Sequence, residues 1–600
     1  MSPAPSPATL KSTQVTFTVK VDGKQIDETI AVQSISTWWS VNKVPKAELV
    51  LFDGSAAQRD FPLSNAKTFL PGNRLEVAAG YLDQKEEAIF DGVIARQGIR
   101  IDREQGSKLV VEATDEAIQM TLERRNALFE KIKDSDLIGK LITNNGLKKK
   151  VESTTGEHAE IVQYYASDWD LMMTRAQMNG FVVIVDAGTV EVGKPDTSQT
   201  AALKVEYGES VFDLEAEMDA ATQFASSAIK SYSWDPSAQK VVEAGPGSVS
   251  VKEPGNVSSA ELAKVFNVKK FTQQSGGSLE KTSLQEWSSA ELLLSKLSKI
   301  RGNVTFQGSA LARVGKTIEL AGLGQRFNGV AYVSGVHQSI RDGVWTSSVD
   351  FGLSPRWFAA EAPDIAAPDA SGQLPPIKGL QTGVVKKIAK DPDGEFRVQV
   401  NLPLLEKSLD VWARLGSFYA SKKVGAVFYP EVGDEVVVGF MNEDPRYPVI
   451  LGSVYSKKLD PPYPPDDKNK IKAIVTKNKL ELVFDDQDKI VTIKTPAQQT
   501  VTLDDKKGEV SIQDKNKNKV MLSKSGVTVD SGSNLKMTAK GNVTISANGN
   551  LSLSAKGNAT MDGTQVTHSA KAKFAAKGNA AAEVTSSGML TVRGTLVKIN

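Results

Sequence analysis

The sequence predicts a mainly β protein with minor α content whose C-terminal part is a repetitive rod. Three observations carry this expectation. A short phrase recurs every eight positions near the C-terminus, five short alternating runs sit together within residues 377–455, and aromatic residues almost vanish after residue 480.

The repeat reads Gly526-Val527-Thr528-Val529, Asn534-Leu535-Lys536-Met537, Gly541-Asn542-Val543-Thr544-Ile545, Gly549-Asn550-Leu551-Ser552-Leu553 and Gly557-Asn558-Ala559-Thr560-Met561. In each octad two apolar side chains flank a small polar one, the alternation of a strand with one dry face. Gly-Asn accepts positive φ and is expected to turn each corner. A fixed period means stacked units rather than a globule. Two apolar residues per octad close no core alone, so the columns need two further faces, from the same chain or from two others. The expected core positions are Val527, Val529, Leu535, Met537, Val543, Ile545, Leu551 and Leu553. Looser pairs upstream (Leu480/Leu482, Val491/Ile493, Val501/Leu503, Val510/Ile512, Val520/Leu522) place the start of the rod near Leu480. From there on the chain has no Trp or Tyr, only Phe484 and Phe574, and one proline, Pro496, which suits a thin fibre better than a globular core. Ala-rich positions after Met561 are expected to narrow the rod.

Composition bounds the rest. At 40% hydrophobic and 24% charged, the 600 residues read as several soluble domains. Lys and Arg number 72 against 71 Asp and Glu, and the only basic run, Lys148-Lys149-Lys150, reads as a solvated helix or loop end, so no nucleic-acid partner is expected. The absence of cysteine removes disulfides and thiolate metal sites. Residues 1–11 are Pro/Ser/Ala-rich without the apolar stretch of a secretory signal, and no run reaches membrane-span length. Assembly in the bacterial cytoplasm without a signal peptide is the expectation.

Along the chain, residues 1–12 read as a flexible N-terminus. Alternation in residues 14–22 and 75–101 reads as a β-barrel, helices are expected at 136–142, 168–179 and 288–300, and strands return at 303–306, 317–320, 331–337 and 346–351. Ser167 suits an N-cap, with Asp170 three positions on and Gly180 past the C-terminal end. These segments make one region, 13–358. Residues 359–376 read as a linker, 377–456 as a five-stranded Greek-key barrel of the OB type, 457–479 as a second linker and 480–600 as the rod.

Within the OB module, Trp412-Ala413-Arg414, the run from Phe428-Tyr429-Pro430-Glu431-Val432-Gly433-Asp434-Glu435 to Phe440, and Asp444-Pro445-Arg446-Tyr447-Pro448 followed by Gly452-Ser453-Val454-Tyr455 resemble the signature of valine-glycine repeat (VgrG) spikes. These are the central spikes of contractile injection machines. Trp412, Pro430, Gly433, Asp434, Glu435, Asp444, Pro445, Pro448 and Gly452 carry the likeness. Phe90-Asp91-Gly92-Val93-Ile94, Gln163-Tyr164-Tyr165 with Asp168-Trp169-Asp170, and Tyr332-Val333-Ser334-Gly335-Val336-His337 resemble the family's hub segments. Leu482-Val483-Phe484-Asp485-Asp486 resembles its shaft. The resemblance implies a homotrimer with two hub barrels per chain facing a hexameric tail-tube protein, an OB-fold collar and a three-chain intertwined β-helix needle. It further implies baseplate or hub proteins as partners, a PAAR-like tip protein at the needle end, effector cargo, and a part in an injection particle that ends outside the cell or in the target envelope. The motif at Tyr164 lacks the Arg-Glu-Ser wording common among secretion-system members, which leaves the subclass open, with an extracellular phage-tail-like particle as the preferred expectation.

No catalytic constellation or cofactor site emerges. Residues 457–479 are too short for a hydrolase domain, and Asp485-Asp486 and Asp504-Asp505 read as solvated turns. Gly315-Lys316-Thr317 lacks the first glycine of a phosphate loop, since position 310 is Ala310, and precedes a strand. Asn542-Val543-Thr544, Asn550-Leu551-Ser552 and Asn558-Ala559-Thr560 are by-products of the octad rather than glycosylation sites. Of the three histidines, His158, His337 and His568, the last is a weak metal candidate because three copies could meet on an axis. The competing reading of the chain is a carbohydrate-binding fibre, with the OB module and a single-chain solenoid.

Overall fold

The computed structural model describes residues 4–8, 12–104, 106–362, 364–404 and 410–599. They form two compact units, Met1–Val454 and Tyr455–Asn600.

The first unit is built on a thirteen-stranded sheet. From one edge its order is Val211–Met218, Ile300–Gln307, Val344–Phe351, Gly329–Arg341, Val32–Ser40, Lys46–Phe52, Gly106–Thr114, Glu87–Asp102, Arg74–Tyr81, Val15–Val21 and Lys24–Gln25, with Thr317–Ala321 and Leu203–Glu206 branching from Gly329–Arg341. The two expected barrels are thus two lobes of one sheet, each with its own core. One core gathers Leu49, Leu51, Leu75, Val77, Phe90 and Leu109; the other gathers Val304, Phe306, Ile318, Leu320, Val333 and Phe351. The strand Gly329–Arg341 serves both. Its first half pairs with Thr317–Ala321, its second half with Val32–Ser40, and the register shifts between Val333 and Gly335 against Val344–Phe351. Such a bulge re-aims the side chains, so Val333 points into one core and Ile340 into the other.

The lobes are pinned where the Tyr81 hydroxyl donates to the Gly308 carbonyl at 3.0 Å and the Tyr81 ring stacks on Trp345 at 5.4 Å. Burial pushes the Tyr81 phenol up to about 12. A Cβ on Gly308 would lie 2.1 Å from the Trp345 indole, so only glycine allows this approach.

Three helices match the reading of the sequence in kind. Asp168–Met178 starts at Ser167, whose side chain accepts from the Asp170 amide, and Gly180 follows at φ +70. Asp134–Asn144 extends the expected helix by two residues at each end. Lys281–Leu297 begins seven residues before residue 288, because Leu284 already packs inward, and stops where Ile300 enters a strand. A fourth, Ser259–Phe266, went unread although Ser258 and Glu261 form a full capping box. The first two pack on a third core containing Leu137, Leu141, Trp169, Met172 and Val183.

An ion network locks these two helices. Arg175 Nε and Nη2 donate to Asp134 Oδ1 and Oδ2 at 2.7 and 2.9 Å, Asn179 donates at 2.8 Å, and His158 Nε2 lies 3.2 Å away. Burial alone would raise the Asp134 pKa, but the Arg175 guanidinium, Asn179 and His158 outweigh it and hold the carboxyl below its usual range.

The OB module is a closed five-stranded barrel of Gln381–Lys387, Val398–Asn401, Asp410–Leu415, Glu435–Phe440 and Pro448–Ser453, as expected. One pairing departs from the antiparallel expectation: Asp410–Leu415 runs parallel to Pro448–Ser453 and closes the barrel. The expected flexible segments also carry structure. Pro7 is buried and Lys204 N donates to the Pro5 carbonyl. Within the expected linker 359–376, Ala370 is fully buried and Arg446 donates to Gln373 Oε1 at 3.0 Å, so the segment is anchored at these points, while 371–376 stay exposed. Residues 1–3 and 9–11 of the expected N-terminal tail lie outside the described residues.

Two outcomes follow from this packing. Arg175→Ala removes the guanidinium from the buried Asp134 carboxylate, leaving only Asn179 and His158 beside it, and should cost about 3–5 kcal/mol in the cooperative unit that holds it, read by chemical denaturation. In the parent chain Asp134 adds stability above its unfolded pKa, lost as pH falls through the lower folded value; in Arg175→Ala burial dominates, so stability should instead fall as pH rises past the ordinary carboxylate range. Gly308→Ala should lower the unfolding free energy of the first unit by roughly 1–3 kcal/mol through overpacking against Trp345, read by chemical denaturation.

Candidate functional site

In the second unit, seven five-residue strands follow one another as an antiparallel meander: Ile471–Val475, Glu481–Asp485, Ile490–Lys494, Thr500–Asp504, Glu509–Gln513, Lys519–Ser523 and Gly526–Asp530. The sheet therefore starts at Ile471, inside the expected linker 457–479 and ahead of Leu480. Leu480 sits in a turn, its amide donating to Thr476 Oγ1, so the first shaft pair is Leu482/Phe484 rather than Leu480/Leu482.

The turns hold register by local chemistry. Lys479, Lys489, Gln498 and Lys517 take positive φ, as does Gly508. Asp514 accepts from the Asn516 and Asn518 amides at 2.9 Å, and Asp485 from those of Gln487 and Asp488 at 3.0 Å. Each carboxylate pair straddles a strand end and its turn: Asp485 and Asp504 close strands, and Asp486 and Asp505 begin the turns. Asp504 is more enclosed than a solvated turn implies: it is 7% exposed, accepts from the Lys507 amide, and is held below its usual pKa first by backbone hydrogen bonding to Lys507.

This register aligns two apolar columns on one face. Leu482, Ile493, Val501, Ile512, Val520 and Val529 pair in sequence across the sheet, as do Phe484, Val491, Leu503, Val510, Leu522 and Val527. Residues between them, such as Thr492, Thr502, Ser511 and Thr528, point to the other face. The columns have no cover within the chain: Ile493 is 50% exposed, Ile512 55% and Val527 70%.

Beyond Asp530 the repeat behaves differently. Bends fall at 540–541, 548–549 and 556–557, on the glycine of each octad, and straight segments run between them. The corners are reached without positive φ, contrary to expectation, and a Cβ at Gly541, Gly549 or Gly557 would meet nothing within 4 Å. Among the described residues no strand is assigned from 531 to 599, and no octad ladders with another. Leu535, Met537, Val543, Ile545, Leu551 and Leu553 are all exposed by 58% or more. A single-chain solenoid requires ladders between octads of adjacent turns. The chain by itself does not make them.

The OB signature residues are turn and closure elements. Gly433 takes φ +96 and donates to the Val385 carbonyl, Asp434 Oδ2 accepts from the Glu431 amide at 2.9 Å, and Glu435 opens a strand beside buried Pro430. Asp444, buried, pairs with Arg446 at 2.6 Å and accepts from its amide, fixing the turn that carries Pro445 into buried Pro448. Trp412 pairs with Gln399 in the barrel wall, and Gly452 lies opposite Val437 where the register shifts.

Other singled-out residues have local roles. Lys148-Lys149-Lys150 lies on an exposed edge strand, not at a helix or loop end, and edge lysines discourage further pairing. Thr317 begins a strand after Gly315-Lys316, as expected. His337 stacks on Trp38 at 4.9 Å, and burial lowers its pKa. His568 is exposed with Phe574 at 6.0 Å; among the described residues no three His, Cys, Asp or Glu side chains gather as a metal site. No helix among the described residues is long and apolar enough to cross a membrane.

Three family matches tile this architecture. Residues 11–342 match the Alg8 N-terminal domain, 381–455 the type VI secretion system/phage-baseplate injector OB domain, and 490–552 the phage baseplate V C-terminal trimerisation domain. The first covers more than half of the chain. The chain belongs to the Alg8 N-terminal domain family. Its OB and trimerisation matches bear out the resemblance to VgrG-type spikes. The chain is 32% identical over 104 residues to the type VI secretion system spike protein VgrG1c of Pseudomonas aeruginosa, 16% of this chain and 14% of that protein. It is 32% identical over 156 residues to VgrG3 of Vibrio cholerae, 24% of this chain and 15% of that protein. The matched stretches thus take in about a seventh of these relatives' own length. An Escherichia coli component of the type VI secretion system aligns over 73% of this chain and 99% of its own at 13% identity, with a TM-score of 0.36.

The two faces of the meander should respond differently to charge. Ile512→Asp puts a carboxylate in an apolar column and should abolish self-association in sedimentation velocity, because a buried unpaired charge costs several kcal/mol per copy. Ser511→Asp, on the other face, should leave association intact.

Proposed function

We propose that this chain is the structural, non-enzymatic spike of a contractile injection machine, a homotrimer that caps a tail tube and punctures a target envelope. The observation that carries the reading is the pair of continuous apolar columns, extended by the octads, that the chain leaves bare over a segment matching a trimerisation domain. Exposed apolar ladders and unpaired backbone call for partner strands. Three copies offer three such faces, and an intertwined prism leaves no open lateral edge. Val527, Val529, Leu535, Met537, Val543, Ile545, Leu551 and Leu553 are its proposed core.

The hub, with two lobes per chain, would give a trimer six tube-facing lobes for a hexameric tail-tube protein, with baseplate proteins around it. The printed names of the curated relatives, spike proteins of type VI secretion systems, support this role. A PAAR-like tip protein and effector cargo at the needle end, assembly in the cytoplasm and an extracellular phage-tail-like particle belong to the same proposal. Force comes from the sheath; this chain supplies stiffness and connections. The carbohydrate-binding fibre is not favoured, since its solenoid needs ladders within one chain.

Light scattering behind size exclusion tests the reading. The expected mass is three times the 64.5 kDa chain. A monomer would overturn the spike and bring back the fibre.

A further inference from the structure

The first unit holds an open cavity of 670 Å3. Its walls are aromatic. Phe224 and Phe271 face each other at 4.4 Å, and Trp287 and Trp357 complete the lining. A volume of this size suits a small organic ligand.

Among its lining residues Glu291 is the only ionisable group. It is 6% exposed. Trp357 Nε1 donates to Glu291 Oε2 at 2.8 Å and Gln273 Nε2 donates to the same oxygen at 3.2 Å. Both bonds end on Oε2, so Oε1 has no hydrogen-bond partner among the described residues. Gln273 is held in turn by the Ser231 hydroxyl at 2.8 Å, which fixes the carboxyl's orientation.

A buried carboxylate without a countercharge is costly; it either takes up a proton or pairs with a cation. Aromatic faces attract the same species through their quadrupoles, most strongly when water is excluded. No basic side chain lines the cavity to fill that role from within. We infer that this cavity is a binding site for an organic ammonium with an apolar body, its charged nitrogen on Glu291 Oε1 and its body against Phe224, Phe271, Trp287 and Trp357. The raised pKa of Glu291, caused by its burial, is the strain that such a cation would relieve.

The test uses the full chain as purified. Phenethylammonium and its neutral counterpart 2-phenylethanol are titrated by calorimetry at neutral pH against the parent and Glu291→Gln, which keeps the size of the side chain and removes its charge. The expected result is that the parent binds the ammonium at least about tenfold more tightly than the alcohol, and that Glu291→Gln loses this preference. Equal binding of the two compounds, binding of neither, or a preference that survives Glu291→Gln would each overturn the proposal. Should Glu291→Gln fail to fold, the ammonium-to-alcohol ratio in the parent, together with Trp287→Leu on the half-buried wall, decides it: a ratio near one, or one unaffected by loss of the indole, rejects the site.

Discussion

The apolar face of the seven-stranded meander has no cover within its own chain, and the properties of the second unit follow from that constraint. Five-residue strands with alternating side chains put two apolar residues on one face of each strand from Glu481–Asp485 onward. Joined by turns whose positive-φ residue stops slippage, those pairs line up into columns. A one-residue slip would send every column to the other face. The Asp side chains that accept from turn amides therefore matter as much to the columns as the Val and Ile that form them. The scarcity of aromatics has the same origin, since thin faces stacked about an axis have little room for large rings.

In the first unit the corresponding constraint is the strand Gly329–Arg341. It is long enough to serve two cores, and its bulge lets Val333 and Ile340 pack in different lobes. Two lobes built on a shared strand cannot shift independently without breaking its ladders. Rigidity also comes from enclosed polar groups. The Asp134 network ties two helices together, and Lys299, almost fully buried, is held by Glu253 at 2.9 Å and by the Pro254 and Val257 carbonyls.

The OB barrel uses its recognisable residues for architecture. Gly433, Asp434, Asp444 and Pro448 shape the two turns flanking the strand Glu435–Phe440, and that strand pairs on both sides. A fold often associated with oligonucleotide or sugar binding is here defined by turn chemistry, and fold alone assigns no ligand. The enclosed acid lining the aromatic cavity described above lies elsewhere, at Glu291.

The sequence by itself determined the β-rich class, the five OB strands and the helix opened by Ser167, because each depends on residues close together in the chain: alternation, caps and turn residues. The columns were legible as pairs such as Val510/Ile512. Tertiary structure decided what depends on distant pairing. That the hub barrels are one sheet is set by the register of Gly329–Arg341 against Val32–Ser40, some three hundred residues earlier. That the shaft starts at Ile471 is set by its pairing with Glu481–Asp485. The pocket of Glu291 joins residues from Thr174 to Ala359, and no local signal marks it. Periodicity left open whether one chain or three supplies the remaining faces of the rod. The fold narrowed that question, because the octads of one chain leave their apolar side chains and their strand edges without partners of their own.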